Sequence, residues 1–213
     1  MDVFDDLTIF VKTYILSNAR IKWLNAAEVT FLKYGYQKTS LEAVAQQAQK
    51  AKGAIYYHFG SKEKLFEELV LQDLSRVKKK LEEVFTMDKA DAKERIRFYM
   101  LARMKALYDS PHYRETLRPE FYEHHRFMDA QKEALAQWEI GQILSLLERG
   151  VLSGDLQLPG ELRVYAEVLV MLLQGLEADF FLKGNYDRLE PHFDNLIAII
   201  TRGISPCPPT KLK

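Results

Sequence analysis

Residues 39–59 read TSLEAVAQQAQKAKGAIYYHF, and the reading of this segment decides the fold. Leu41, Val44, Ala45 and Ala48 recur at helical spacing, just after Thr39 and Ser40, residue types that cap helix N-termini. Thr39 with Glu42 three positions on reads as a capping box, the hydroxyl and the carboxylate each taking an orphan amide. Gln49, Lys50 and Ala51 separate this helix from a second short one, Lys52 to His58. Two short helices across a tight turn, the second rich in hydrogen-bond donors and aromatics, describe a helix-turn-helix whose second helix enters a DNA major groove.

Working upstream, Trp23, Leu24, Ala27 and Phe31 mark the buried side of a helix over 18–34, which stops at Gly35, where a left-handed cap costs glycine nothing sterically. Downstream, a long helix over 62–86 turns Leu65, Leu69, Leu74, Val77, Leu81 and Phe85 inward. Further helical periodicity covers 91–108, 113–127, 129–151, 161–183 and 188–203. The expected architecture is all-α: a three-helix DNA-binding head over 19–66 and a larger helical body over 67–204. An N-terminal extension, 1–18, precedes them and a flexible tail, 205–213, follows. Residues 7–16 are expected to add an amphipathic helix to the extension. Gly53, Gly141 and Gly175 lie inside helical patterns and need separate explanations.

Charge supports the division. The chain carries 30 basic and 30 acidic residues, yet residues 17–66 hold eight Lys/Arg against three acids, a net +5 that leaves −5 for the remainder. A basic module joined to an acidic one fits a polyanion partner for the first alone. The single cysteine, Cys207, lies in a Pro-rich tail, cannot form an internal disulfide and suits a reducing cytoplasm. No apolar run reaches the ~18 residues of a membrane span, and the start lacks a basic segment and a small-residue cleavage site, so no signal peptide is expected. There is no dinucleotide-binding or P-loop glycine pattern. No metal or cofactor is expected: His124 and His125 are adjacent and diverge by ~100° on a helix, and His112 stands apart. A helical hydrolase built on His124, Glu123 and Asp129 would lack a nucleophile and an oxyanion device. A helical adaptor without sequence-specific DNA binding is the other alternative.

The run Ala26-Ala27, Phe31, Gly35-Tyr36, Thr39-Ser40-Leu41, Val44-Ala45, Lys52-Gly53-Ala54-Ile55-Tyr56-Tyr57-His58-Phe59 and Ser61-Lys62-Glu63-Lys64-Leu65 resembles the DNA-binding signature of the tetracycline-repressor (TetR) family, in order and without gaps. The resemblance implies a homodimeric transcriptional regulator, a repressor on a palindromic double-stranded operator, released by a small-molecule effector. It implies that Tyr56 touches phosphate, that Tyr57 faces the groove and that His58 is structural. Lys52 suits guanine O6/N7 or a phosphate, and Gly53 and Ala54 let the backbone approach. Thr39 and Ser40 open a helix whose amide end suits phosphate. Lys50, Lys62 and Lys64 complete the basic set. Two positions depart from the family. Gln49-Lys50 replaces a glycine followed by an apolar residue in the turn, and a left-handed Gln49 would cost ~1 kcal/mol or more. Lys64 stands where an acid would complete a capping box with Ser61.

In the body, aromatics and methionines cluster between Phe98 and Trp138, suiting a pocket for an apolar or planar ligand, with an ordinary core as the alternative. The candidate ligand set is Phe98, Met104, Tyr108, Phe121, Tyr122, His125 and Trp138, joined by Met171 and Gln174. The last two helices carry more apolar surface than a thin body can bury. The resemblance implies that they pair with their symmetry mates, through Val168, Leu172, Gly175 and Leu176 on one and Phe193, Ile197 and Ile200 on the other.

Overall fold

A computed structural model describes residues 18–87, 90–122 and 126–203. The expected helix over 7–16, the tail with Cys207, and the side chains of Tyr122 and His125 lie outside the described residues. The fold is all-α, with no strand among the described residues. The elements are α1 (Asn18–Lys38), α2 (Leu41–Gln47), α3 (Lys52–Phe59), α4 (Lys62–Phe85), α5 (Ala92–Tyr108), α6 (Pro111–Glu115), α7 (Pro119–Tyr122), α8 (Asp129–Leu152), α9 (Leu162–Glu177), a π-helical turn (Ala178–Leu182) and α10 (Tyr186–Gly203). No helix among the described residues is long and apolar enough to cross a membrane.

The described residues form two compact units. Of the described residues, one gathers 18–77 with those of 109–135; the other gathers those of 78–108 with 136–203.

In the first unit, α1 breaks at Gly35 (φ 74, ψ 170), where glycine was expected to end it. Trp23, Leu24, Ala27 and Phe31 of α1 are buried with Leu41, Val44 and Ala45 of α2, Ile55 and Phe59 of α3, and Leu65, Phe66 and Leu69 of α4. Tyr36 forms an aromatic hub, stacked on Phe31 with ring centroids 6.1 Å apart and packed against Phe66 and Phe121 at 4.8 and 5.0 Å. Burial first, then the Glu63 carboxylate that accepts its hydroxyl proton, pushes the Tyr36 phenol well above the usual range. The single helix expected over 113–127 is two short ones: Pro119 has no amide to donate and opens a new helix rather than continuing α6.

In the second unit, α5 packs against α9 and α10. Gly150 of α8 is required by space: a Cβ there would stand 2.7 Å from the Ala92 Cβ and 2.6 Å from Leu156 Cδ1. The helix expected over 161–183 widens into a π turn after Glu177, which allows the adjacent Phe180 and Phe181 both to be buried.

Candidate nucleic-acid interface

The turn is built as a Schellman motif. The Lys50 amide donates to Ala45 O at 3.0 Å and the Gln49 amide to Gln46 O at 3.1 Å, with Gln49 itself left-handed at φ 53. It is the sole non-glycine residue of positive φ among those described. The departure from glycine is therefore accommodated in the backbone rather than by a different turn.

The cap of α2 is offset by one residue from expectation. Ser40 is the N-cap, its hydroxyl accepting the Ala43 amide at 3.2 Å. Thr39 is 3% exposed and donates its hydroxyl to Gly35 O at 2.8 Å, so its side chain faces the head core rather than a phosphate. At the start of α4, Ser61 accepts the Lys64 amide at 3.2 Å, half of the box whose acid is missing.

On α3, Ile55 and Phe59 point into the core, which turns Lys52, Gly53, Tyr56 and Tyr57 outward. Tyr57 is 88% exposed, an unusual cost for a large aromatic in a free surface. A Cβ on Gly53 would meet nothing within 4 Å, so nothing in the subunit itself requires glycine there. Ala54 is half-buried, and Lys50 and Lys64 are exposed. Lys62 is otherwise engaged: its Nζ donates to Tyr36 O at 3.1 Å and lies 4.4 Å from the Tyr36 ring centroid. His58 is half-buried, with its ring 6.2 Å from that of Trp23 and its carbonyl accepting Arg20 Nη1 at 3.3 Å.

A residue expected only to complete a capping box ties the outward face together. Glu42 of α2 accepts Lys52 Nζ at 2.7 Å and the Tyr56 hydroxyl at 2.7 Å. Lys52 first and Tyr56 second hold its carboxyl down at about 2. Glu42 had been assigned to the capping box; its spacing of ten residues from Lys52 gives no local signal of this second bond.

The candidate ligand residues divide between the units. Phe121 belongs to the first, packed on Tyr36 and Phe66. Phe98, Met104, Tyr108 and Trp138 belong to the second: Met104 is buried, Tyr108 stacks on Tyr186 at 4.0 Å, and Trp138 meets Phe85 edge-on at 6.0 Å. Met171 is 64% exposed and Gln174 is exposed, on the same open side of α9 as Val168, Leu172 and Gly175, which displaces both from a ligand set enclosed by the body. Leu176 and Ile200 are half-buried. Phe193 and Ile197 are buried within the single chain.

The body also holds a buried ionic cluster absent from the sequence-based set. Arg103 of α5 donates through Nε to Glu139 of α8 at 2.8 Å and lies 2.9 Å from a Glu177 oxygen of α9 through Nη2. The Tyr99 hydroxyl donates to the same Glu139 oxygen at 2.8 Å. Burial first, opposed by Arg103 and Tyr99, raises the Glu139 carboxyl above its ordinary range.

Residues 24–69 match the family model of bacterial regulatory proteins, tetR family. Over these residues the chain is similar to the DNA-binding part of the TetR family. The chain is 37% identical over 60 residues to the transcriptional repressor AcnR of Corynebacterium efficiens, covering 28% of this chain and 32% of that protein. It is 40% identical over 60 residues to the regulator YhgD of Bacillus subtilis, covering 28% of this chain and 31% of YhgD. The matches thus span about a third of these curated relatives. Solved TetR-type structures extend the likeness of fold to the body. NalD of Pseudomonas aeruginosa, the secondary repressor of the MexAB-OprM efflux pump, superposes with a TM-score of 0.62 at 26% identity over 88% of this chain and 96% of that one. SmeT bound to triclosan gives 0.67 at 21% identity over 92% and 98%. FadR of Bacillus subtilis with stearoyl-CoA gives 0.63 at 16% over 84% and 97%. AcnR, YhgD, NalD and FadR are named as transcriptional regulators or repressors.

Proposed function

We propose that the chain is a cytoplasmic transcriptional repressor that binds a palindromic double-stranded operator as a homodimer and leaves it when a small, largely apolar or aromatic effector enters the body. The observation that carries this reading is the outward face of α3, where Lys52, Tyr56 and an 88% exposed Tyr57 flank an unobstructed Gly53. A groove-facing helix needs donors and a thin backbone at its N-terminal end. A two-fold dimer supplies two such helices for two half-sites, and the exposed apolar side of α9 supports its formation. The triclosan and stearoyl-CoA of the structural relatives support an apolar effector.

Selection of binding sites from random-sequence duplexes by the purified protein tests the reading. It expects enrichment of a two-fold symmetric site, with Lys52→Ala and Tyr56→Ala weakening that site about 5- to 150-fold while the fold survives. Absence of any enriched sequence, or wild-type affinity in both variants, overturns it.

A further inference from the structure

The pairing of Lys52 and Tyr56 with Glu42 puts a carboxylate on the surface that the proposed function turns toward DNA. Lys52 and Tyr56 are one helical turn apart on α3, and one Glu42 carboxylate, reaching over from α2, takes both at 2.7 Å. The lysine and glutamate side chains are 65% and 41% exposed, so this is a solvated ion pair, a kind that adds little to folding stability. Its consequence falls on binding instead. A phosphate oxygen and a carboxylate oxygen ask for the same donors, an ammonium and a phenolic hydroxyl. DNA must therefore either take Lys52 and Tyr56 away from Glu42, leaving a bare carboxylate facing a polyanion, or leave them in place and forgo their charge and donor.

We propose that Glu42 is a positioning residue: an internal competitor for phosphate that weakens the hold of Lys52 and Tyr56 on DNA. Resting as it does on the DNA-binding reading above, this assigns Glu42 a role opposite in sign to that of the residues it holds. The penalty applies to every sequence. It falls on specific and non-specific complexes alike, so a partner such as guanine O6/N7, taken bidentately by Lys52, is needed to outweigh it, and contact with phosphate alone holds the head less tightly. In the free head the same bonds set the rotamers of Lys52 and Tyr56 and tie α3 to α2, so the contacting groups are ordered before DNA arrives.

The test needs no knowledge of the operator. Binding of the full chain to a 30-bp duplex of mixed sequence is followed by fluorescence anisotropy from 25 to 200 mM KCl. Glu42→Gln keeps size and shape and removes the charge; it is expected to bind about 5- to 10-fold tighter at 100 mM, with a salt slope steeper by ~0.9 for each engaged head, one further phosphate contact. A contact that merely braces the head would, on removal, lower affinity and leave the slope alone. The gain is expected to vanish in a Lys52→Gln background, because the freed cation is what Glu42→Gln releases. Glu42→Ala gives the same reading should the amide disturb the fold, which thermal melting reports. An unchanged slope in both Glu42 variants overturns the inference, as does an equal gain with and without Lys52, which would mark general charge removal. Failure of wild type and variants alike to bind the duplex at 25 mM overturns the DNA-binding reading itself, and the inference with it.

Discussion

The buried carboxylate of Asp73, in α4, accepts the main-chain amide of His112 at 2.9 Å. It also accepts the Tyr113 amide at 3.1 Å and pairs with Arg76. His112 and Tyr113 are the second and third residues of α6, which opens on Pro111 and has no side-chain cap from Ser110. The helix is thus capped from outside, by a residue some forty positions upstream, and a charged acceptor on orphan amides is among the stronger hydrogen bonds a fold can make.

Asp73→Ala is expected to lose about 2–3 kcal/mol, because two buried amides go unmet. Asp73→Asn should lose less, keeping one acceptor oxygen. Burial works against the Asp73 charge, but the His112 side chain first, its Nδ1 3.3 Å from the carboxylate, then the Tyr113 amide and Arg76 more than offset it and hold the carboxyl below its ordinary range. A carboxylate with a depressed folded pKa adds stability that is fully present above its unfolded pKa and is lost as pH falls through the folded one. Thermal melts from pH 6 to pH 2 should show the gap between wild type and Asp73→Asn closing below about pH 4. A gap that stays constant across that range would contradict the assignment.

Gln49 makes the opposite case, a position where the chain carries avoidable strain. Its φ of 53 lies in the left-handed region, which costs a side chain roughly 1–2 kcal/mol. Gln49→Gly removes that cost and adds back some unfolded-state entropy, for a net gain of about 0.5–1 kcal/mol. For a chain of this size that is a rise in Tm of roughly 1–4 °C. Since the Lys50 and Gln49 amides keep their bonds in the turn, DNA affinity should be unaltered. A lowered Tm would mean that the glutamine makes a contact worth more than the strain.

Assembly separates two leucine-to-acid style substitutions that the sequence alone treats alike. Leu172 is 55% exposed in the single chain and Ile197 is 0% exposed. Leu172→Glu should therefore leave the helical signal and melt largely intact while converting a dimer to monomer in light scattering, because the charge is buried only when a partner arrives. Ile197→Glu should unfold the second unit outright and say nothing about the partner. A dimeric Leu172→Glu protein at micromolar concentration would remove the open face of α9 from the interface.

What the sequence discloses follows from the range of the signals. The head is local: cap, apolar phase, a turn and a glycine stop all lie within a few residues of what they control, so α1 to α3 are legible from periodicity and punctuation. The one-residue offset between Thr39 and Ser40 is not, because both hydroxyls can cap and the choice is made by Gly35 O, which claims Thr39. The break after α6 was legible in Pro119, outweighed by the aromatic periodicity around it. Glu42 and Lys52 lie on different helices, and their meeting depends on the turn angle between them. Phe193 and Ile197 carry the same residue types whether they face a partner or their own core; only the packing of α10 against α5 separates the two.

Arg103, Glu139 and Glu177 had one available signal: each is a charge at a buried helical phase, Arg103 among Met100, Met104 and Leu107, Glu139 beside Leu135 and Ile143, Glu177 in line with Val170 and Leu173. Such a cluster makes unequal demands on its members. Two carboxyl groups face one guanidinium here, and burial first, with Glu177 adding to it, raises the Glu139 pKa against the pull of Arg103 and Tyr99. Glu139→Gln keeps an acceptor for Arg103 and Tyr99 and makes the cluster neutral, so at pH 7 its melting temperature should equal or exceed that of wild type. Arg103→Met leaves both carboxylates without their cation in a dry interior and should cost about 3–5 kcal/mol. The pH dependence carries the sign: a carboxyl whose folded pKa is raised contributes stability that is present below its unfolded pKa and lost as pH rises through the folded one. Wild type should therefore gain on Glu139→Gln as the pH is lowered from 8 toward 4, while the Arg103→Met defect shrinks as Glu139 takes up a proton. Equal destabilisation by both substitutions, independent of pH, would mean that the cluster acts through shape alone.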